Sequence, residues 1–129
     1  MQIRKATPKD FKDVKKILIK TGFGNEDIKD VKNIINNAGL SLVILINNRI
    51  IGTISGHYHD FKPEVEQIGV LPDYQGKGYG LKLIKMLENE FKKLGERKIY
   101  AEGVEFKNIG FYIKAGYRKI NKNSFIKKI

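Results

Sequence analysis

Apolar side chains in the first third of the chain recur every three or four positions, the spacing that buries one face of an α-helix. One such stripe comprises Phe11, Val14, Ile17 and Leu18, and a second comprises Ile28, Val31, Ile34 and Ile35. Thr7 and Pro8 precede the first stripe as N-cap and first helical residue, and Gly39 follows the second. The pattern predicts two amphipathic helices, which are separated by Gly22-Phe23-Gly24-Asn25 and preceded by a short strand at Ile3–Ala6.

The middle of the chain carries β-branched runs between turn residues, a pattern typical of strands. The predicted strands are Ser41–Ile46, Arg49–Tyr58 and Glu64–Leu71. Asn47-Asn48 lies between the first two strands, and asparagine tolerates the positive φ of a tight hairpin. His59–Pro63 predicts the turn before the third strand.

From Leu81 onwards the apolar period is again that of a helix. Its stripe comprises Leu83, Ile84, Leu87, Phe91 and Leu94. The elements predicted after it are a strand at Lys98–Glu102, a short helix at Ile109–Lys114, and strands at Tyr117–Ile120 and Phe125–Ile129 around Asn121-Lys122-Asn123. This order predicts one α/β domain over residues 1–129, whose mixed sheet has antiparallel strands leading to a central parallel βαβ unit.

The charge of the chain is unusual for its length. The 25 Lys and Arg residues exceed the 14 Asp and Glu residues, which gives a net charge of +11. Such a charge attracts phosphate-rich partners, either nucleic acid or a phosphorylated cofactor. The lysines occur in every segment and form no block, which fits a solubilising surface better than a nucleic-acid-binding arm.

Several classes of protein are excluded by what the sequence lacks. The chain has no cysteine, so it has neither a disulfide framework nor a thiol nucleophile. No apolar run approaches the roughly 20 residues that span a bilayer. The charges at Arg4, Lys5, Lys9 and Asp10 interrupt any signal peptide. We therefore expect a cytoplasmic protein without a membrane partner.

The segment from Ile68 to Gly80, with the sequence Ile-Gly-Val-Leu-Pro-Asp-Tyr-Gln-Gly-Lys-Gly-Tyr-Gly, carries the strongest chemical pattern. A strand ends at Pro72, three alternate glycines follow, and a helix begins at once. Glycines let backbone N–H groups approach a ligand closely, and a helix N-terminus attracts anions, so the pattern predicts a pyrophosphate site. A Walker loop has Lys and then Ser or Thr after its last glycine, whereas Gly78 is followed by Tyr79. The G-x-G-x-G spacing also differs from the G-x-G-x-x-G of a Rossmann loop.

Two motifs together resemble the GNAT superfamily of N-acetyltransferases. Gln75-Gly-Lys-Gly-Tyr-Gly80 is similar to the family's acetyl-CoA signature Q/R-x-x-G-x-G/A, and Val70-Leu-Pro-Asp-Tyr74 to the segment before it. Phe111-Tyr-Ile-Lys-Ala-Gly-Tyr117 resembles the second family element. The order of the elements agrees along essentially the whole chain. The resemblance implies a GNAT fold and acetyl-CoA as the acyl-donor cosubstrate.

The resemblance also implies how the chain would bind acetyl-CoA. The pyrophosphate would be held by backbone N–H groups of Gln75, Gly76, Lys77, Gly78, Tyr79 and Gly80. The pantetheine arm would pair with the strand backbone at Ile68, Gly69 and Val70, with the Ile68 N–H directed at the thioester oxygen. Asn108 is similar in position to an asparagine that contacts the cofactor in many members.

An acetyl transfer to an amine needs a base for the ammonium and an acid for the departing thiolate. The resemblance implies that Tyr112 is the acid, and its phenol stays protonated at pH 7. Strand alternation places Glu64 and Glu66 on one face together with Ile68 and Val70, so both glutamates are candidate bases. Glu64 matches the position of the base in some relatives. A further candidate is Glu102, and ordered water is an alternative to all three.

Two other features lie close to these residues in the sequence. His57 and His59 flank Tyr58, but the chain offers no clear third ligand, so no metal site is predicted. The two histidines either lie on the surface or line the acceptor cleft. Gly22-Phe23-Gly24 is the candidate for a segment that covers the acceptor, as the equivalent loop does in relatives.

The predicted function is direct transfer of an acetyl group to a primary amine through a tetrahedral intermediate. The acceptor amine belongs either to a small molecule or to a protein. A homodimer is one open possibility for the oligomeric state. Two alternatives belong to other classes: a non-catalytic module that binds or senses acetyl-CoA, and a basic nucleic-acid-associated protein. Steep salt dependence of nucleic-acid binding would favour the second alternative.

Overall fold

The computed structural model describes residues 1–37 and 40–129. Its helices are α1 (Phe11–Lys20), α2 (Asn25–Asn37), α3 (Tyr79–Lys93) and α4 (Ile109–Lys114), with 3₁₀ turns at Pro8–Asp10, Pro72–Tyr74 and Phe106–Asn108. Its strands are β1 (Gln2–Lys5), β2 (Ser41–Ile46), β3 (Arg49–His59), β4 (Lys62–Val70), β5 (Lys98–Ala101), β6 (Arg118–Asn121) and β7 (Ser124–Lys128). None of the helices described here is long and apolar enough to cross a membrane.

The seven described strands form one sheet in the order β1-β2-β3-β4-β5-β7-β6. Neighbouring strands run antiparallel, except that β4 and β5 run parallel and are joined through α3. The prediction of a mixed sheet with a central parallel βαβ unit is confirmed.

Turn chemistry explains the meander from β2 to β4. Asn47 and Asn48 have φ values of 50° and 65°, so the predicted Asn-Asn hairpin has the left-handed backbone that asparagine tolerates. Asp60 and Phe61 form the next turn in the same way, with φ values of 49° and 65°. A phenylalanine is rare in this conformation, and its side chain is 99% exposed.

Several predicted boundaries differ from the structure. A 3₁₀ turn precedes α1, because Asp10 accepts a hydrogen bond from the Thr7 N–H and is paired with Arg4. Helix α3 starts at Tyr79 and not at Leu81, since Gly78 is its N-cap. Leu94, predicted to lie in the apolar stripe, follows the helix end and is exposed. The prediction about Gly39 lies outside the described residues.

Helices cover both faces of the sheet, and glycines set how closely they approach. A Cβ on Gly56 of β3 would lie 2.8 Å and 2.9 Å from ring atoms of Phe91 in α3. On the opposite face, a Cβ on Gly69 of β4 would lie 2.8 Å from Thr21 Oγ1, just after α1. Because glycine has no side chain, the helices pack directly on the strand backbone at these two positions.

A buried ionic group ties α3 to the C-terminal strands. Glu88 is fully buried, and its carboxylate accepts hydrogen bonds from the Tyr117 hydroxyl at 2.9 Å and from Lys127 Nζ at 3.0 Å. Lys127 Nζ also donates to the Ala115 carbonyl at 2.8 Å. Burial, followed by the nearby Glu88 charge, raises the pKa of the Tyr117 phenol, so the hydroxyl stays protonated and donates.

We predict that Gly56→Ala lowers the free energy of unfolding by about 1–3 kcal/mol, because the added methyl group overpacks the contact with Phe91. Gly110→Ala is the control, since a Cβ there meets nothing within 4 Å in the described part of the chain. Chemical denaturation measures both variants. Equal stability of Gly56→Ala and wild type would contradict the close approach of α3.

Candidate functional site

Strands β4 and β5 separate shortly after they meet. In the described structure their register contains one pair, Glu64 opposite Tyr100, and β5 ends at Ala101. Strand β4 continues to Val70, and no described strand pairs with it on that side beyond Glu64. A gap therefore opens in the middle of the sheet.

The backbone of β4 faces this gap with polar groups that do not pair with β3. Leu71 N–H donates to Ile51 O at 2.8 Å, so this antiparallel pair is hydrogen-bonded. Hydrogen-bonded and non-bonded pairs alternate, and the register pairs Val70 with Gly52 and Ile68 with Ile54. The N–H and C=O groups of Ile68 and Val70 therefore point away from β3. The Gln75 side chain confirms the direction, since it donates to Val70 O at 2.8 Å.

The glycine loop lies at the open end of the gap. Gly76 and Gly78 have φ values of 76° and 88°, a left-handed backbone that favours glycine. A Cβ on either glycine would meet no described atom within 4 Å. Lys82 N–H makes the first helical hydrogen bond of α3, to Gly78 O at 3.1 Å. The N–H groups before it have no partner within the helix, which makes an anion-binding end.

Loop and strand edge form the wall of one groove of about 670 Å³. It is lined by Lys20, Thr21, Gly22, Phe23, Ile68, Gly69, Val70, Tyr74, Gln75, Gly76, Gly78, Tyr79, Gly80, Leu81, Lys107, Asn108, Phe111 and Lys114. Three of these described lining residues are lysines and none is acidic, so the groove favours an anionic ligand.

Most of the residues predicted to bind acetyl-CoA line this groove. Lys77 is not among the lining residues. Its Nζ lies over the Tyr74 ring, 5.8 Å from the ring centroid. Asn108, the residue before α4, lies in the lining. Sequence reasoning missed the lysines at 20, 107 and 114, since nothing local distinguishes them from the other lysines of the chain.

Tyr112, the predicted acid, lies inside the protein and is not in the groove lining. Its ring stacks on Phe125, with centroids 6.1 Å apart, and meets Tyr117 edge-on at 5.5 Å. Burial raises the pKa of its phenol. The neighbouring Phe111 lines the groove instead and packs against Gly80, where a Cβ would lie 3.0 Å from the Phe111 ring.

The prediction that Glu64 shares a face with Ile68 and Val70 is wrong, because β4 contains a bulge. The register pairs Ser55 with Gln67 and Gly56 with Val65, so Glu66 is an extra residue. The alternation of faces therefore shifts by one residue there, and Glu64 lies opposite His57 on the face covered by α1 and α2.

The bulge brings two carboxylates to one imidazole. His57 Nε2 lies 2.9 Å from Glu66 Oε2 and 3.1 Å from Glu64 Oε1. The Glu66 hydrogen bond, followed by the Glu64 interactions and opposed by burial, raises the pKa of His57 above its usual 6.5. Sequence reasoning named all three residues but did not connect them.

The other candidate side chains have partners elsewhere. Glu102 accepts a hydrogen bond from the Ser124 hydroxyl and lies 3.5 Å from Lys62 Nζ. His59 is exposed and lies 3.5 Å from Asp60. Gly22 and Phe23 line the groove, and a Cβ on Gly22 would lie 4.0 Å from Lys107 Nζ, so the link between α1 and α2 approaches the turn before α4.

Three comparisons connect this geometry with known proteins. An acetyltransferase of Pectobacterium atrosepticum is 30% identical over 100 residues, which cover 75% of this chain and 71% of that protein. The PaiA N-acetyltransferase of Thermoplasma acidophilum, solved with coenzyme A, superposes with a TM-score of 0.82 at 20% identity over 99% of this chain and 98% of that one. A Brucella melitensis GNAT acetyltransferase, solved with acetyl-CoA, gives a TM-score of 0.78 at 20% identity over 99% and 87%.

A family model agrees with these comparisons. The model described as the acetyltransferase (GNAT) family matches residues 11–117, which contain both of the motifs on which the resemblance was based. The chain therefore belongs to the GNAT family of acetyltransferases and is an acyltransferase.

Proposed function

We propose that this chain transfers an acetyl group from acetyl-CoA to a primary amine, carried by a small molecule or by a protein, in the cytoplasm. The observation that carries the proposal is the groove itself. It joins the outward-facing backbone edge of β4 at Ile68 and Val70 to the glycine loop at the start of α3.

The groove fits acetyl-CoA, which is the donor and supplies an acetyl thioester. The N–H groups from Gly76 to Gly80 would hold its pyrophosphate at the N-terminus of α3. The lysines at 20, 107 and 114 supply the positive charge that its phosphates require. Coenzyme A and acetyl-CoA are present in the two solved relatives, which supports the same ligand here.

The edge of β4 provides the polar groups beside the reacting carbonyl. The amide-rich pantetheine arm would pair with the outward N–H and C=O groups of Ile68 and Val70, as an added strand pairs with a sheet edge. The Ile68 N–H would then stabilise negative charge on the carbonyl oxygen. A donor fixed in a folded backbone needs no reorganisation during the reaction.

Tyr112 is our candidate for the acid that protonates the departing thiolate. Its phenol is protonated at neutral pH, which an acid requires. Burial raises its pKa further. The Tyr112 ring adjoins Phe111, which lines the groove, with ring centroids 5.2 Å apart.

Removal of the acceptor's proton depends on the Glu64 and Glu66 pair. A free primary amine has a pKa of about 10, so an acceptor arrives as an ammonium and must lose a proton before attack. The two carboxylates lie where β4 leaves β5, next to the part of β4 that lines the groove. They provide local negative charge that attracts an ammonium into an otherwise basic protein.

One observation favours a second function, the binding or sensing of acetyl-CoA without catalysis. The side chain of Tyr112 is buried and does not line the groove as described. A module of this kind would bind acetyl-CoA without turnover on any amine. A screen with acetyl-CoA over small amines, amino-acid amines, peptide N-termini and lysine peptides, with detection of the released thiol, separates the two functions.

We predict that Gly78→Asp weakens acetyl-CoA binding at least about 10-fold, equivalent to about 1.4 kcal/mol. The carboxylate repels the pyrophosphate and occupies the space that its oxygens need. Gly95→Asp is the matched control, because Gly95 has a similar φ of 91° and equally open space in the described structure, at the other end of α3. Isothermal titration that gives equal affinities for folded Gly78→Asp and wild type would refute the assignment.

We predict that Tyr112→Phe lowers kcat about 10- to 1000-fold, the usual range for a lost acid, and leaves acetyl-CoA affinity unchanged. Phenylalanine keeps the ring contacts with Tyr117 and Phe125, so the fold should be retained. Single-turnover measurements are needed, since slow product release would hide the effect. An unchanged chemical rate would assign Tyr112 to packing.

We predict that the double variant Glu64→Gln/Glu66→Gln lowers kcat/KM by about 100-fold or more. Glutamine keeps the shape of each side chain but removes the negative charge. Glu102→Gln is the control and should retain wild-type kcat/KM. If the double variant keeps the wild-type kcat/KM and pH profile, the proton transfer does not depend on these two carboxylates and the assignment is refuted.

A further inference from the structure

His57 is the most accessible member of the cluster that it forms with Glu64 and Glu66. Its side chain is 30% exposed, against 15% for Glu66 and 8% for Glu64. Nε2 is hydrogen-bonded to Glu64 Oε1 and lies 2.9 Å from Glu66 Oε2, whereas Nδ1 has no hydrogen-bond partner within residues 1–37 and 40–129. A neutral imidazole that donates from Nε2 presents a free lone pair at Nδ1.

We propose that His57 is the group that takes the proton from the acceptor ammonium, at Nδ1, while Glu66 and Glu64 hold its Nε2–H. This inference rests on the proposed acetyl transfer and names the residue that acts within its basic cluster. A carboxylate that orients an imidazole and stabilises the imidazolium is an established arrangement for a general base.

The position of the cluster suits this role. Glu64 is the partner of His57 on β3 and of Tyr100 on β5, so the cluster lies where the gap in the sheet begins. Two residues of β3 lie between His57 and Ile54, the partner of Ile68, so the two are roughly 10 Å apart along the strand. An acceptor amine and one bridging water can span that distance.

Buried polar groups supply a second observation on the same face. Glu64 Oε2 and both polar atoms of the Gln67 side chain are buried without a protein partner in the described part of the chain. The bulge places Gln67 on the face of Glu64, between it and Gly69 in the groove wall. Groups of this kind bind ordered water, which provides a route for the proton between the groove and His57.

The charges around His57 favour proton uptake by its imidazole. The two carboxylates raise its pKa above the usual value, which makes the imidazole a stronger base. On its own strand, the His59 ring is 6.3 Å away and its Nε2 lies near Asp60. Lys62 of β4 is directed to Glu102 and the Tyr100 ring, and no charge from the described parts of α1 or α2 contributes to the shift.

The protons and bonds of the acetyl transfer are all accounted for by the acceptor ammonium, acetyl-CoA and His57. The acceptor ammonium gives one proton to Nδ1, and the freed nitrogen pair forms the C–N bond. The C–S bond breaks with its electron pair on sulfur, and the second nitrogen proton passes to that sulfur through Tyr112 or water. His57 then returns its proton to solvent.

Ring NMR tests the inference without any substrate. The chain has two histidines, so the variant His59→Gln assigns both sets of ring signals. We expect His57 to be the Nε2–H tautomer when neutral, with a pKa above 6.5 that falls in Glu66→Gln. The His59 signals should not change in that variant. An Nδ1–H tautomer, or a pKa that does not respond to Glu66→Gln, would overturn the proposal.

Kinetics test the same residue with acetyl-CoA and two probe amines of different basicity, glycinamide and 2-phenylethylamine. His57→Gln should lower kcat/KM about 100-fold. It should also remove the fall of kcat/KM at low pH whose apparent pKa is the same for both probe amines, which is the acid limb due to the enzyme. His59→Gln should retain both. Glu66→Gln should keep that limb and move it to lower pH, because the pKa of His57 falls and its basic form persists in more acidic solution.

The proposal and the function on which it rests fail in different ways. If His57→Gln keeps its rate and acid limb while Glu66→Gln loses both, a glutamate is the base and the inference is overturned, but the acetyl transfer stands. If wild type acetylates neither the probes nor the amines of the wider screen, the proposed function fails. The tautomer and pKa of His57 then still decide whether the cluster holds the imidazole as described.

Discussion

The rest of the structure depends on the separation of β4 from β5 after a single pair, Glu64 with Tyr100. Strand β5 is only four residues long, and the bulge at Glu66 turns β4 at the same point. Phe111 of α4 packs on Gly80 of α3 beside the gap, so two helices support the open edge. An exposed strand edge is ordinarily a liability that proteins cover, and here it forms the wall of the groove.

The gap also separates two electrostatic environments. The net charge of +11 is spread along the sequence, yet the groove contains lysines without a described carboxylate in its lining. The face covered by α1 and α2 carries the opposite arrangement, with Glu64 and Glu66 around His57. A polyanionic donor and a cationic acceptor would thus be attracted to different sides of the same opening. The charge of the whole chain describes neither environment.

Local patterns predicted most of the fold, because turns and apolar periods depend on residues near in sequence. The Asn47-Asn48 hairpin and the glycine loop before α3 are of this kind, and two motifs were enough to indicate the family. The bulge at Glu66 could not be predicted, since it is defined by pairing with a second strand. The error about the face of Glu64 and the missed link to His57 both follow from it. The lysines of the groove come from three separate segments that only the tertiary fold brings together.

Amide hydrogen exchange at neighbouring residues of β4 tests the central claim most directly. In the free protein, the N–H groups of Ile68 and Val70 should exchange quickly, because they point into the gap. The N–H of Gly69, which is directed at Thr53 of β3, should be protected. Saturation with acetyl-CoA should protect Ile68 and Val70 strongly and leave Gly69 little changed. Equal protection of all three residues in the free protein, or no gain at Ile68 and Val70 with acetyl-CoA bound, would contradict the account.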